Sequence, residues 1–204
     1  MASSTHQSSH EITTPRLIIR SAKHSDAAGI CHVLGNPLNF PHNPVDPDLT
    51  LDVFERRIAK WETATAKGDS AFMIVILRET NKIIGFGGFN SLPKAPALTG
   101  SDRLELEGDT GLVIDHPFWR KGYATEAFCG TVEYGFDKLG CGHMSMDTSI
   151  QNEGWRAFMN HLGLAHVEVR RAEGREGEDF SYKFDKKSWE QAKVGLMSRG
   201  KWPL

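Results

Sequence analysis

At 204 residues, with 39% hydrophobic and 25% charged residues, the chain has the apolar content of one globular domain with a buried core. Its 24 Lys and Arg against 26 Asp and Glu leave a net charge of −2, without the basic footprint of a nucleic-acid binder or of a protein held on an anionic membrane. That balance favours a small ligand held by local geometry over a polyanion held by bulk charge.

Cys31, Cys129 and Cys141 are widely spaced and form no CxxC pair, and the nine histidines include no HExxH. Neither a disulfide framework nor a metal site is therefore expected. The longest apolar run, Phe72 to Leu77, is too short to span a bilayer. The polar start, MASSTHQSSHE, lacks the charged and apolar regions of a signal peptide. The expectation is a soluble cytoplasmic protein, with a disordered leader over residues 1–13 and a single domain over residues 14–204.

In chain order, Thr14 to Arg20 is a short β-branched run and reads as a first strand. A helix from Asp26 to Leu34, capped by Ser25 or Ser21, is stopped by Gly35-Asn36-Pro37. Residues 36–47 carry four prolines and read as a loop. From Leu49 to Lys67, the residues Leu51, Phe54, Ile58, Trp61 and Ala64 recur at helical spacing, and Gly68 ends the run. Ala71–Arg78 and Lys82–Phe89 form a hairpin. Its glycines, Gly85, Gly87 and Gly88, lack a following helix, so they signal close backbone packing or a bulge rather than a dinucleotide fingerprint. A long loop, Ser91–Arg103, leads to a strand over Leu104–Asp115. Beyond the next helix come a strand at His143–Ser149, a helix at Asn152–Leu162, a strand at Leu164–Arg170, a solvated charged turn at Arg171–Asp179, a strand at Phe180–Phe184 and a terminal helix at Lys186–Arg199.

The segment from Glu107 to Leu139 carries the chemistry. A strand crosses a turn, passes through Arg120-Lys121-Gly122-Tyr123-Ala124, and continues as an amphipathic helix that Gly140 caps. A helix start offers unpaired N–H groups and partial positive charge, which suit a phosphate. Gly122 opens the backbone to close approach, and Arg120, Lys121 and Thr125 add charge and a hydroxyl. A Walker A loop is excluded because no Gly-Lys-Ser/Thr follows. Spacing alone leaves open a plain strand–turn–helix or a site for some other nucleotide.

Trp119-Arg120-Lys121-Gly122-Tyr123-Ala124 resembles motif A of the GNAT superfamily of acetyl-CoA-dependent N-acetyltransferases, usually Gln/Arg-x-x-Gly-x-Gly/Ala. The continuation Thr125-Glu126-Ala127, the first strand and Ile83–Gly88 resemble the branch of the ribosomal-protein N-terminal acetyltransferases, RimJ and RimL. Residues 152–164 resemble that branch's motif B helix. The resemblance implies an α+β fold with one GNAT-like domain. A central mixed, largely antiparallel twisted sheet of about seven strands is flanked by helices, and splayed strands form the coenzyme A cleft.

It also implies the cofactor and the reaction. Backbone groups of Arg120, Lys121, Gly122, Tyr123, Ala124 and Thr125 would hold the pyrophosphate of acetyl-CoA. Leu112, Val113 and Ile114 would pair with the pantetheine arm, and Asn152 and Trp155 would border it. No metal is implied. A neutral primary amine, of a small molecule or a protein N-terminus, attacks the thioester directly in a ternary complex. Period two puts Glu107 and Asp109 on one strand face, and because related sequences often carry a carboxylate at the Asp109 position, the resemblance implies Asp109 as the first choice of general base and Glu107 as the second. The Val113 N–H would be the oxyanion donor, and Tyr182 or water the acid. Trp119 and Trp155 replace the usual charged residue and serine, which keeps a non-catalytic coenzyme A-binding module as the alternative. Nucleic acid and membrane are not expected partners, and a homodimer is compatible with this reading.

Overall fold

The computed structural model describes residues 8–42, 48–174 and 177–204. In chain order the elements are β1 (Glu11–Thr13), β2 (Leu17–Ser21), α1 (Ala27–Gly35), α2 (Leu51–Lys67), β3 (Ala71–Leu77), β4 (Lys82–Ser91), β5 (Lys94–Pro96) and β6 (Leu104–Ile114). They continue as α3 (Tyr123–Tyr134), extended by a π turn over Gly135–Leu139, then β7 (His143–Ser149), α4 (Glu153–Leu162), β8 (Glu168–Gly174), β9 (Gly177–Asp185) and α5 (Lys186–Ser198). Two compact units share β6: one holds Met1–Leu92 with Gly111–Thr131 and Leu204, the other Pro93–Thr110 with Val132–Pro203.

In the first unit β1, β2, β3 and β4 pair successively and antiparallel, with Ile12 opposite Ile19, Ile19 opposite Val75 and Ile74 opposite Phe86. Alternate β-branched residues of these strands face the helices, which is why Ile74 and Ile76 are buried with Ile30 of α1 and Phe54 and Ile58 of α2. Each such side chain is worth roughly 1.5–3 kcal/mol on burial. Thr50 caps α2 by accepting from the Val53 N–H, and Gly68 closes it in the left-handed conformation, φ 76°. Trp61 stacks on Phe72 with ring centroids 3.7 Å apart.

The expectation of a disordered segment over residues 1–13 does not hold at its inner end. Glu11–Thr13 form a strand because Ile12 can pair in register with Ile19, and the Ser21 N–H donates to the His10 carbonyl at 2.9 Å. The rest of that expectation, residues 1–7, lies outside the described residues, as do residues 43–47 of the expected loop.

In the second unit β5 and β7 flank the first half of β6, β9 pairs with β7, and β8 pairs with β9. Met144, Met146 and Phe184 of these strands and Met159, Leu162, Trp189 and Leu196 of the helices are buried. Of the charged run expected as a solvated turn at 171–179, residues 171–174 and 177–179 are strand, and residues 175–176 lie outside the described residues. Register sets Arg171 opposite Asp179, and their bidentate pair, joined by Asp147, lets a charged sequence run as strand. Among the described residues nine strands form a mixed, largely antiparallel sheet, with β6 and β7 its parallel pair. Two of the nine, β1 and β5, are three-residue pieces, leaving seven longer strands. No helix among the described residues is long and apolar enough to cross a membrane.

Candidate active site

Strand β6 changes partner along its length. Glu107–Asp109 pair in parallel with His143–Ser145, and from Gly111 onward the strand lies against β4. The β4 glycines make the second approach close: an added Cβ at Gly85 would fall 2.3 Å from the Val113 carbonyl oxygen, and one at Gly87 would fall 2.7 Å from that of Gly111. Any side chain there would force the strands apart.

The same contacts fix which edge each residue presents. Gly111 and Val113 turn their carbonyls toward β4, and the Asp115 N–H donates to the Ile84 carbonyl at 2.8 Å. Backbone groups alternate along a strand, so Leu112 and Ile114 present theirs to the opposite edge. The expectation for Val113 as the oxyanion donor is therefore corrected, because its backbone is turned into the β4 side. On the other edge the Trp119 indole N–H donates to the Ile114 carbonyl, leaving the Leu112 backbone as the candidate for pairing with a ligand arm.

After β6 the chain makes a short 3-10 turn at His116–Phe118 and enters the glycine-bearing loop. Arg120 is left-handed at φ 60° and Gly122 at φ 79°, immediately before α3. A non-glycine residue held at positive φ is uncommon and costs of order 1–3 kcal/mol. Left-handed residues in such a run turn backbone N–H groups to one side and form an anion-binding concavity. Arg120, Lys121 and Gly122 are exposed; Tyr123, Ala124 and Thr125 are half-buried. Lys82 and Lys121 hold their ammonium groups 5.2 and 5.4 Å from the centre of the Phe118 ring. Trp119, which stands where a charged side chain was expected, ties the loop to β6 instead of offering charge.

Two polar clusters anchor this loop. At its entrance the fully buried Asp115 accepts from Asn36 at 2.8 Å and Asn39 at 3.0 Å, with His32 Nε2 at 3.6 Å. Asn39 also donates to the Val33 carbonyl and accepts from the His116 N–H, both at 2.7 Å. At its exit Glu126, fully buried in the first turn of α3, accepts from the Thr14 hydroxyl and the Arg16 N–H at 2.7 Å and from Arg16 Nε at 2.6 Å. The Arg16 guanidinium continues to the Lys121 carbonyl at 2.9 Å and lies 4.5 Å over the Tyr123 ring. Sequence reasoning did not select Arg16, Asn36, Asn39, Asp115 or Glu126 as site residues. Arg16 and Glu126 lay inside stretches already matched to a family pattern, but their partnership spans 110 residues and has no local signature.

In the second unit the carboxylates of β6 separate by environment. His143 is fully buried, with Nδ1 2.9 Å from Glu105 and Nε2 2.7 Å from Glu107. Ser145 and Lys183 donate to Glu107 at 2.8 Å. Burial would push the Glu107 carboxyl up, but hydrogen bonds from Lys183, His143 and Ser145 and the Lys183 charge outweigh it and hold it at about 2 against an ordinary 4.5. A carboxylate so well satisfied is a weak proton acceptor near neutral pH. Asp109 lies on the same strand face, half-buried and in register with Ser145.

Asn152 caps α4: its carbonyl oxygen accepts from the Trp155 N–H at 3.0 Å and its amide donates to the Thr148 hydroxyl at 2.9 Å. Trp155 packs at a tilt against Phe158, ring centroids 5.5 Å apart. Tyr182 is fully buried and donates to Glu168 at 2.6 Å, while Arg156 grips the same carboxylate with two bonds. Burial first, then the Glu168 hydrogen bond, push the Tyr182 hydroxyl far above its ordinary value, which unfits it as a general acid.

Comparison with known proteins bears on the family and the fold. The profile of the acetyltransferase (GNAT) domain matches residues 16–165. An uncharacterized N-acetyltransferase of Bacillus licheniformis, p20, is 24% identical over 151 residues, 74% of this chain and 80% of that protein. The FsC-acetyl coenzyme A-N(2)-transacetylase of Aspergillus fumigatus is 30% identical over 108 residues, 50% of this chain and 44% of that protein, so the chain matches less than half of that relative. Among solved structures, apo FdhC, a nucleotide-linked sugar GNAT, superposes with a TM-score of 0.72 at 16% identity, covering 96% of this chain and 99% of that one. RimJ of Mycobacterium smegmatis in complex with CoA-disulfide gives 0.70 at 12% identity, with 95% and 94% covered. Ribosomal-protein-S5-alanine acetyltransferase of Vibrio fischeri gives 0.68 at 16%, with 88% and 98% covered. At such identities these structures speak to the fold alone.

Proposed function

The chain belongs to the acetyltransferase (GNAT) family, and from that premise we propose that it transfers an acetyl group from acetyl-CoA to a primary amine by direct attack in a ternary complex. The observation that carries the reading is the exposed loop with Arg120 and Gly122 in left-handed conformation at the start of α3, a backbone concavity fit for a pyrophosphate. Arg120, Lys121, Gly122, Tyr123, Ala124 and Thr125 would hold that group. The Leu112 backbone, on the edge of β6 turned away from β4, would pair with the pantetheine arm, with Asn152 and Trp155 bordering it.

Acetyl-CoA supplies an acyl group on a thiol leaving group whose ordinary pKa is about 8.5. The residues have three tasks. Asp109 takes the proton of the attacking amine, directly or through one water, while Glu107, held at about 2, keeps its strand segment charged and fixed. The Leu112 N–H stabilises the carbonyl oxygen, replacing Val113 in that role. As the N–C bond forms and the C–S bond breaks, water returns a proton to sulfur, since Tyr182 is committed to Glu168.

The acceptor is a small-molecule amine or a protein N-terminus; the likeness in fold to a ribosomal-protein-S5-alanine acetyltransferase keeps the second class in the panel. Acetyl-CoA binding by calorimetry, followed by thiol release with amines and N-terminal peptides, tests the proposal. Cys129 and Cys141 are buried, and burial pushes the Cys141 thiol up to about 12, which limits their background in a thiol assay. Binding without thiol release from any acceptor would favour the non-catalytic coenzyme A-binding module, a reading that the engagement of both Glu107 and Tyr182 supports.

A further inference from the structure

Glu126 presents a difficulty for an anion site. It puts a fully buried carboxylate in the first turn of α3, the helix whose start would receive a pyrophosphate. The partial positive charge of a helix N-terminus amounts to about half an elementary charge, so an unneutralised carboxylate there would more than cancel it. Its position cannot be explained by the cap alone, because its two oxygens are turned back onto the β1–β2 corner rather than onto the helix N–H groups.

We infer that Arg16 is a positioning residue for cofactor binding, cancelling the Glu126 charge and holding the Lys121 end of the phosphate loop. Three contacts converge on it. Its Nε closes on Glu126 at 2.6 Å, its Nη1 donates to the Lys121 carbonyl at 2.9 Å, and its plane covers Tyr123 at 4.5 Å. A Cβ added at Gly122 would lie 3.3 Å from its Nη2, so the guanidinium sits directly against the left-handed glycine. The bond from Arg16 engages the Lys121 carbonyl, an acceptor that would repel an anion if left facing one. The fork shape matters, because one planar group serves the carboxylate and the carbonyl at once. The side chain itself remains 44% exposed, while its partner is 1% exposed. The buried member is thus the anion, and removing the cation leaves an uncompensated charge next to the phosphate path.

This inference rests on the acetyl-CoA reading, and the experiment separates the two. CoA binding to the full chain is measured by calorimetry for wild type, R16Q, E126Q, R16Q/E126Q and R16K, with thermal unfolding of the CoA-free proteins alongside. R16Q is expected to weaken CoA binding about tenfold, equivalent to about 1.4 kcal/mol. R16Q/E126Q is expected to recover most of that loss, and E126Q, which breaks the same pair but removes the anion and keeps the cation, is expected to bind CoA no more weakly than wild type, a result that a purely structural role of the pair would not give. R16K keeps the charge but not the fork, so it is expected to bind CoA more weakly than wild type and more tightly than R16Q, and it guards against an R16Q that does not fold. A double variant as weak as R16Q, an R16K as weak as R16Q, or an R16Q with wild-type affinity would each overturn the role of Arg16 while leaving the cofactor reading intact. Wild type giving no heat with CoA would overturn both.

Discussion

Acid should erase a specific part of this protein's stability, and Glu107 is the group that carries it. Its carboxyl is held at about 2 in the fold against an ordinary 4.5, by Lys183, His143 and Ser145 working against burial. A folded-state value below the unfolded one means the native state favours the ionised form, so the stabilisation is complete above about 4.5 and is lost as pH falls toward 2. The full difference corresponds to at most about 3 kcal/mol. Lys183 is 44% exposed and partly screened by solvent, while the Glu107 side chain is 13% exposed, which brings the expected share to roughly 2 kcal/mol. Glu107→Gln keeps the shape and removes the charge. Urea unfolding followed by circular dichroism should show the variant about 2 kcal/mol less stable than wild type at pH 7. The gap should close as pH drops from 4.5 to 2.5, because the unfolded wild-type chain then takes up a proton at this carboxyl while the native state, held at about 2, still keeps it ionised. Comparing the two proteins cancels the titration of every other acid. A gap that stays constant across that range would refute the assignment, as would equal stability at pH 7.

Gly122→Glu places a carboxylate against the phosphate path at a left-handed position, and should abolish measurable CoA binding in calorimetry while costing only about 1–2 kcal/mol of stability. Unchanged affinity would sink the pyrophosphate assignment. Asp109→Asn should leave CoA affinity unaltered and lower kcat by about 100-fold or more with any accepted amine, and equal turnover would remove Asp109 as the base. Asn39→Ala deletes three hydrogen bonds under the loop entrance and reduces the satisfaction of buried Asp115, so unfolding free energy should fall by about 2–3 kcal/mol. A loss under about 0.5 kcal/mol would show that water replaces the amide there.

Local pattern carried the elements well and the site less evenly. Helical spacing and glycine stops located α2 and α3 because those signals act within a few residues. Period two correctly placed Glu107 and Asp109 on one face of β6, yet it could not say which backbone parity faced β4. The deciding signal was present in Gly85 and Gly87: strands that approach this closely must do so at particular residues, and those are Gly111 and Val113. Reading the glycines as packing was right, but the step from packing to edge needed the register. Glu107 looked like a base because its partners, His143 and Lys183, arrive on β7 and β9 from 36 and 76 residues away. Arg171 to Asp179 looked like a solvated turn for the same reason, since only cross-strand pairing converts opposite charges into a ladder.

The switch of partner along β6 gives its two halves different chemistry, and this orders the candidate residues better than their types do. Over Glu107–Asp109 both flanks of the strand are taken, with β7 on one side and the β5 connection on the other, where the Glu107 N–H donates to the Pro93 carbonyl at 2.9 Å. Side chains are the groups left to act there; Glu105 and Glu107 are both bound to His143, and Asp109 is the base in the proposed reaction. From Gly111 onward β4 takes one edge, so the backbone of the opposite edge becomes the useful group, and side-chain identity matters less. Trp119 fits this division. Where a charged residue would have offered a second contact to phosphate, the indole closes the Ile114 carbonyl and holds the loop corner on the strand. In the proposed site, binding at the loop falls to backbone N–H groups beside the left-handed Arg120 and Gly122, with Arg16 cancelling the charge of Glu126.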